Sequence, residues 1–462
     1  MISVAIFTEG GKKYGYGHIS RCKALLQAFD HLGFEVRMVI DGDESALNNA
    51  SSYTILNWKN ESLTSLTNND DIIVFDSYYF DAAKESKNLD EHKTILVIQD
   101  HQDCDESNDH FILAPISSKG FAAKNVLSGI EYALLRKSFW QTPEIKISEE
   151  IKRILIIPGS GLSNSFLKSI IETAHYKFTN ASIYYVGPEN DFPDFIEKYT
   201  HLSENEIRGI MTSSDLALTA GGQTLNELMV LGIPSLVFQT AENQKEQIAY
   251  WRNAGTITYF DITEGFNQNK FEVLLTEYSG YNFRKQVSEQ SKLLIDGLGG
   301  IRIAKIMVND FVAKNGLLRV VEAKDCWLLY DISNHPSIRE ISLNPDPISK
   351  QTHQSWFEKA LSNPNLFYYC LELKNEIIGQ IRYEIGSEEA EISLSVHPKY
   401  SGFGIGQVLF NKSLNLLLKS ANNLQKIIAQ VKEDNQPSIR FFEKNSFEKV
   451  ERKGVLTYEL NL

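Results

Sequence analysis

Three stretches of this 462-residue sequence combine glycines with side chains that can do chemistry. The first is Gly15-Tyr16-Gly17-His18. Two glycines let a backbone come close to a ligand, and a helix opening there offers free N–H groups to an anion. A histidine at that point can act as a general base near neutral pH; the competing reading is a histidine that only caps or packs the helix start. The second is Ala220-Gly221-Gly222-Gln223-Thr224-Leu225-Asn226-Glu227, followed by Gly232-Ile233-Pro234. Amides from Gly221 to Thr224 can cradle a diphosphate, and Glu227, one turn on, can accept hydrogen bonds from ribose hydroxyls. A tight strand–helix turn with an acidic residue favoured by the helix dipole accounts for the same residues. The third is His397-Pro398-Lys399-Tyr400-Ser401-Gly402-Phe403-Gly404-Ile405-Gly406. Its glycines at 402, 404 and 406 leave amides bare, as a pyrophosphate cradle requires.

Each stretch needs a strand before it and a helix after it, and the apolar pattern supplies both. Val4–Phe7 reads as a strand, and Ile19, Cys22, Leu25, Leu26, Phe29 and Leu32 form one helical stripe closed by Gly33. Val36–Ile40, Ile72–Phe75, Ile95–Ile98 and Phe111–Leu113 read as further strands. The pattern restarts with a strand at Ile154–Ile157, a helix around Phe166–Tyr176, strands at Ile183–Val186, Leu216–Leu218 and Ser235–Phe238, and a helix around Leu225–Leu231. Strands alternating with helices imply α/β architecture: two doubly wound parallel sheets, residues 1–148 and 149–312, with a cleft between them at the strand ends. A polar joint, Ala313-Lys314-Asn315-Gly316, then leads into residues 317–462. There Leu317–Val321, Phe367–Leu373, Ile377–Tyr383, Glu391–Val396 and Ile427–Val431 read as strands, with a helix at about Gln407–Ala421. That order is α+β with a mostly antiparallel sheet.

Composition narrows the function classes. The chain is 42% hydrophobic and 23% charged, as globular proteins are. A net charge of −13 argues against a nucleic-acid binder, which needs a basic face. It leaves small anionic ligands open, since amides and helix N-termini can hold phosphates. No apolar run is long enough to cross a bilayer, and the N-terminus lacks the pattern of a signal peptide. Cys22, Cys104, Cys326 and Cys370 are widely spaced with no CxxC pair, which fits reduced, mostly buried thiols. The expectation is a cytoplasmic protein.

At Gly15-Tyr16-Gly17-His18-Ile19-Ser20-Arg21 the sequence resembles the GxGHxxR signature of the pseudaminic-acid pathway hydrolases, the PseG family. Asp76-Ser77-Tyr78, Tyr132-Ala133-Leu134-Leu135-Arg136 and Asn243-Gln244 resemble further segments of that family. The resemblance covers about residues 1–310. It implies a two-lobed fold like the GT-B glycosyltransferases and inverting, metal-free removal of UDP from UDP-2,4-diacetamido-2,4,6-trideoxy-β-L-altropyranose. Carried over, His18 would activate water, with Gly17 and Arg21 beside it. Tyr78, Asn243 and Gln244 would line the sugar site, and Gly221, Gly222, Thr224 and Glu227 would hold the UDP half. Ser77 stands where histidine is common, and Ala114 where asparagine is usual. Gln99-Asp100-His101 replaces an Asp-Asp pair, and Pro158-Gly159-Ser160-Gly161 replaces a Gly-Gly-Ser/Thr-Asp run.

The third stretch, with Asn435-Gln436-Pro437-Ser438-Ile439-Arg440-Phe441-Phe442-Glu443-Lys444-Asn445-Ser446-Phe447 about thirty residues later, resembles the two motifs of the GNAT N-acetyltransferases. The resemblance covers about residues 317–462. It implies acetyl-CoA held by the amides of Gly402, Gly404 and Gly406, with Asn435 near the pantetheine arm. Ser401 occupies an Arg/Gln position, and Phe442 stands where many members carry a tyrosine that protonates the leaving thiolate. Glu391 would deprotonate the amine, directly or through water; as a bare sheet-face carboxylate it would only be solvated. Arg339 and Trp356 would contact sugar or phosphate, or simply pack.

Together the two resemblances imply successive steps on one UDP-linked amino sugar, 4-N-acetylation and then hydrolysis that frees UDP. The partners expected are that nucleotide sugar and acetyl-CoA, with no nucleic acid, membrane or metal. A GT-B glycosyltransferase with an acetylating module, the same steps on another UDP-diamino sugar, and a nucleotide-sugar-binding scaffold remain alternatives.

Overall fold

The computed structural model describes residues 2–11, 15–43, 53–78, 80–99, 110–114, 116, 125–159, 162–188, 192–200, 202–262, 265–421, 423–450 and 455–462, with the side chains of Ala82, Ala83 and Asn243 excepted. The chain divides into two compact units, Met1–Ala304 and Lys305–Leu462.

The first unit holds two parallel sheets. Strands β1 (Ser3–Gly10), β2 (Glu35–Gly42), β3 (Tyr53–Ile55), β4 (Ile72–Asp76), β5 (Thr94–Ile98), β6 (Phe111–Leu113) and β7 (Val126–Leu127) lie in the order β3-β2-β1-β4-β5-β6-β7. Strands β8 (Arg153–Ile157), β9 (Ser182–Val186), β10 (Ile196–Tyr199), β11 (Leu216–Ala220), β12 (Ser235–Phe238) and β13 (Ile257–Phe260) lie in the order β10-β9-β8-β11-β12-β13. Central strands are buried along their whole length, for example Ile72–Asp76 and Leu216–Ala220, as sheets covered on both faces require. Strand order reverses between β1 and β4 in one sheet and between β8 and β11 in the other. The loops leaving those strands therefore open at the switch point, where ligands bind in such folds.

Helix α1 (Gly17–His31) follows the first switch-point loop and packs Ile19, Cys22, Ala24, Leu25, Ala28 and Phe29 inward. Helix α2 (Gln223–Leu231) follows the second and ends on Gly232, whose φ of 74° is left-handed. Residues Ile130–Phe139 precede β8, yet Ile130, Ala133, Leu135 and Phe139 are buried in the core of the second sheet. The chain thus joins the second lobe before residue 149.

The second unit carries a seven-stranded sheet. Its strands are β14 (Leu317–Val320), β15 (Leu366–Leu373), β16 (Glu376–Ile385), β17 (Glu389–Val396), β18 (Lys426–Val431), β19 (Glu448–Val450) and β20 (Leu456–Asn461), in the order β14-β15-β16-β17-β18-β20-β19. All pairs are antiparallel except β17 and β18. That parallel pair is in register only from Glu389↔Lys426 to Ile392↔Ala429, although both strands continue. Beyond Ile392 the two strands part, and a wedge opens in the sheet.

The expected polar joint is a helix end. Helix α3 (Gly299–Asn315) runs through Ala313, Lys314 and Asn315. An i,i+4 ion pair joins Lys314 to Asp310 at 2.8 Å, and Asn315 Nδ2 donates to the Phe311 carbonyl at 2.9 Å. Buried Ile303, Ala304, Met307, Val308, Phe311 and Val312 supply the apolar stripe. Two further helices matter for the site: α4 (Ile405–Ser420), after β17, and α5 (Gln436–Lys444), after β18. No helix among the described residues is long and apolar enough to cross a membrane.

Candidate functional site

In the first unit the residues converge on His18. Its ring is 5% exposed at the start of α1, and Nδ1 lies 2.7 Å from Asp76 Oδ1 at the end of β4. Arg21, one turn along α1, donates from Nε to Asp76 Oδ2 at 2.6 Å, and Cys22 Sγ reaches the same oxygen at 3.2 Å. Burial pushes the Asp76 carboxyl up, but the Arg21 charge and the His18 and Arg21 hydrogen bonds outweigh it and hold Asp76 well below the ordinary carboxylate range. A charged carboxylate only accepts, so the Asp76 contact calls for a proton on Nδ1; in the neutral ring Nε2 then keeps its lone pair. Nε2 lies 4.0 Å from Glu9 Oε1, and the Tyr78 ring stands edge-on at 4.4 Å from the imidazole.

Glu9 is fully buried at the end of β1 and organises the next layer. It pairs with Lys59, accepts the Ser77 hydroxyl at 2.7 Å and accepts the Tyr78 amide at 3.0 Å. Burial pushes the Glu9 carboxyl up, yet Lys59, the Tyr78 amide and the Ser77 hydroxyl bring it below its ordinary value. Lys59 also reaches Asp41 at 3.1 Å. Ser77, where histidine was expected, therefore holds Glu9. Glu9 is the residue that sequence reasoning left out, and Asp76 entered it only as part of a motif, without a role. The available signal was a lone acidic residue closing each of two apolar strands, Phe7-Thr8-Glu9 and Val74-Phe75-Asp76.

The second switch point offers backbone. Among the described residues the amides of Gly222, Gln223 and Thr224, at the start of α2, donate to no protein acceptor. Gln247 Nε2 pins the carbonyls of Gly221 and Gly222 at 2.9 and 2.8 Å. A Cβ on Gly221 would come within 2.3 Å of Ile248, so only glycine fits there. Gln244 folds back on Thr240, accepting its amide at 2.9 Å. Glu227, expected at a ribose, is 2% exposed and paired with Arg136 at 2.7 Å. Burial pushes its carboxyl up, and Arg136 offsets this only in part. A cleft with a cavity volume of about 130 Å³ is lined by residues of both lobes, among them Arg21, Gln99, Ala114, Gln223, Asn226 and Gln247. The Asn243 side chain, Asp100, His101, Ser160, Gly161 and Cys104 lie outside the described residues.

The second unit places its glycine loop between β17 and α4. Gly402 and Gly404 have φ of 78° and 76°, and Gly404 caps α4. The amides of Gly402, Gly404 and Gly406 donate to no protein acceptor among the described residues. With the wedge between β17 and β18 beside it, this loop fits a diphosphate with an extended arm. Asn435, expected at that arm, is 6% exposed and caps α5: Oδ1 accepts the Ser438 amide at 3.2 Å, and Nδ2 donates to the Ile341 carbonyl at 3.2 Å. Phe442 is buried against Phe447 and Tyr458, at ring separations of 4.9 and 6.2 Å. Glu391 is exposed on β17, opposite the exposed Glu384 of β16. Arg339 donates to the carbonyls of Ser333 and Asn344. Trp356 stacks under Arg382, whose Cζ is 4.8 Å from a ring centroid.

The profile of the Acetyltransferase (GNAT) family matches residues 329–447. An uncharacterized protein of Methanocaldococcus jannaschii is 23% identical over 515 aligned residues, spanning all of both chains. A Helicobacter pylori protein described as pseudaminic acid cytidylyltransferase and UDP-2,4-diacetamido-2,4,6-trideoxy-beta-L-altropyranose hydrolase is 25% identical over 291 residues, which cover 59% of this chain and 49% of that one. The solved PaiA N-acetyltransferase from Thermoplasma acidophilum, in complex with coenzyme A, is 19% identical, with a TM-score of 0.28, over 32% of this chain and 99% of its own.

Proposed function

From a chain that joins a PseG-like module to a GNAT domain, we propose two successive steps on one UDP-linked amino sugar. The first is 4-N-acetylation of UDP-4-amino-4,6-dideoxy-β-L-AltNAc. The second is inverting hydrolysis of the product, UDP-2,4-diacetamido-2,4,6-trideoxy-β-L-altropyranose, which releases UDP. In the reading, neither step uses a metal.

The Asp76–His18 hydrogen bond at the switch point carries the hydrolase reading. His18 Nε2 takes a proton from water as the water oxygen attacks the anomeric carbon. The bond from that carbon to the UDP oxygen breaks, and its electron pair leaves with the diphosphate. The imidazolium then stands between two carboxylates, Asp76 and Glu9, each held charged by its own cation. Amides at the start of α2 face the charge that develops on the diphosphate. Tyr78 and Asn243 are assigned to the sugar, as the resemblance implies, and Arg21 fixes Asp76 so that the ring keeps its orientation. Glu227 is assigned to the ribose, which requires it to leave or share Arg136 when nucleotide binds.

In the GNAT domain acetyl-CoA supplies the acetyl group as a thioester. The loop Gly402–Gly406 would hold its diphosphate and the wedge beyond Ile392 would take the pantetheine arm, with Asn435 assigned to that arm. Glu391 receives the amine proton through water, and solvent reprotonates the sulfur, since Phe442 has no hydroxyl.

The test offers the purified chain acetyl-CoA and UDP-linked 4-amino sugars, and follows free thiol and free UDP separately. Both should appear, UDP without any added acceptor and only after thiol. Acceptor-dependent UDP release would instead assign the first unit to glycosyl transfer. If His18→Ala releases UDP at the wild-type rate, the catalytic assignment is wrong.

A further inference from the structure

The glycine loop of the second unit has no cation of its own. From Ser401 to Asn411 there is no lysine or arginine. Lys399 just before it stands over the Tyr400 ring at 5.7 Å, and Lys412 donates to the Gly316 carbonyl at 2.8 Å. A diphosphate brings two negative charges; bare amides can hold it, and a cation beside them adds charge-assisted binding.

Helix α3 provides a cation. Lys305 and Asn309 lie one turn apart on the same face of α3. Asn309 Nδ2 donates to the Phe403 carbonyl at 2.8 Å. Because the peptide is trans and planar, this turns the Gly404 N–H to the opposite side, away from α3's amide group. Lys305 runs along Phe403, which is 5% exposed, with Nζ 5.7 Å from the ring centroid. Its ammonium ends beside Gly402: a Cβ built there would be 3.5 Å from Nζ. In a chain with 59 acidic and 46 basic residues, Lys305 makes no ion pair among the described residues. It is half-buried, so it is a positioned charge and not a free surface one.

We infer that Lys305 supplies the positive charge that faces the diphosphate of coenzyme A at the Gly402–Gly406 loop. The inference rests on the acetyl-CoA reading above and extends that site beyond the residues matched by the GNAT family, to a helix that precedes the sheet. Lys305 is a binding residue here and takes no part in proton transfer. Lysine acts on phosphate as a point charge, so arginine should replace it.

The experiment is calorimetric titration of the full-length chain with coenzyme A, 3′-dephospho-coenzyme A and pantetheine, at low and high salt. Lys305→Met keeps the stem over Phe403 and removes the charge; Lys305→Gln does so with a polar end. Both should weaken coenzyme A and 3′-dephospho-coenzyme A alike by about tenfold at low salt, the size of one charge-assisted hydrogen bond. The loss should shrink at high salt. Pantetheine should bind all variants equally, Lys305→Arg should stay within about threefold of wild type, and Ser401→Arg should restore affinity to Lys305→Met. Wild-type affinity for coenzyme A in both neutral variants at low salt overturns the inference. So does a loss confined to coenzyme A and absent from 3′-dephospho-coenzyme A, which would give the charge to the 3′-phosphate. A wild-type chain that binds no coenzyme A defeats the acetyl-CoA reading itself, and this inference with it.

Discussion

The two candidate sites of this chain are built from opposite materials. Around His18 the structure invests in buried charge: Asp76, Arg21, Glu9 and Lys59 form a connected set of ion pairs beneath one imidazole. Around Gly404 it invests in bare backbone: positive φ, free amides and strands that part. Moving a proton needs a lone pair at a set position and pre-placed counter-charge, which only side chains give. Holding a diphosphate needs donors spread over several ångströms, which a glycine loop at a helix start gives without side chains. The first site should therefore fail through single side-chain changes, and the second through added Cβ atoms.

The largest expected effect is at His18. His18→Ala should lower UDP release by about 10²- to 10⁴-fold and leave thiol release unchanged. Asp76→Asn should approach it, because a neutral amide cannot balance the imidazolium charge and Arg21 loses its counter-ion. The same substitution has a pH signature. The Asp76 carboxyl is held below its ordinary value only in the folded chain. Its contribution to stability is therefore complete above the unfolded carboxylate pKa of about 3.9 and is lost as the pH falls below it. Denaturant titrations should show the wild-type advantage over Asp76→Asn shrinking in that window.

Next comes Arg136→Met, which strands the buried Glu227 carboxylate. Chemical denaturation should show a loss of about 3–5 kcal/mol, with the double variant Arg136→Met/Glu227→Gln regaining most of it. An unchanged midpoint would mean that Glu227 is not buried as a charge.

Gly404→Ala probes the backbone site. The added Cβ meets Asn309 Nδ2 at 2.8 Å and forces a left-handed φ on alanine. Coenzyme A affinity should fall about tenfold or more, with UDP release intact. Gly17→Ala, where a Cβ meets nothing within 4 Å, should be far milder for UDP release, and equal losses at both glycines would erase the contrast between the sites. The smallest effect is expected at Glu391→Gln: about a tenfold fall in acetyl-transfer kcat/KM with unchanged coenzyme A affinity. No change in kcat/KM would return Glu391 to the solvated sheet face that its exposure opposite Glu384 also suits.

Local spacing was enough to read the strand–glycine–helix units at residues 4–32, 216–231 and 391–421, and with them the two parallel sheets and the mostly antiparallel one. Those signals are short-range: apolar runs, helical stripes and residues that permit positive φ. Elements without such a signature were not legible. The edge strand β10, Ile196–Tyr199, is half polar, and Ile257–Phe260 is short. Ala313-Lys314-Asn315 looks like a linker until Asp310 and Phe311, one turn back, are seen to close it as helix.

For the sites the division is similar. The types and order of residues singled out His18, Tyr78 and the three glycine loops as candidates, because catalysis and phosphate binding draw on few residue types. Only the tertiary structure decided their company. Asp76 lies 58 residues from His18, Arg136 lies 91 from Glu227, and Asn309 lies 94 from Phe403. Such pairings come from strand order and helix docking, which no local pattern records. They decide which carboxylate faces His18, which arginine holds the Glu227 carboxylate, and which distant lysine stands at a loop without a cation of its own.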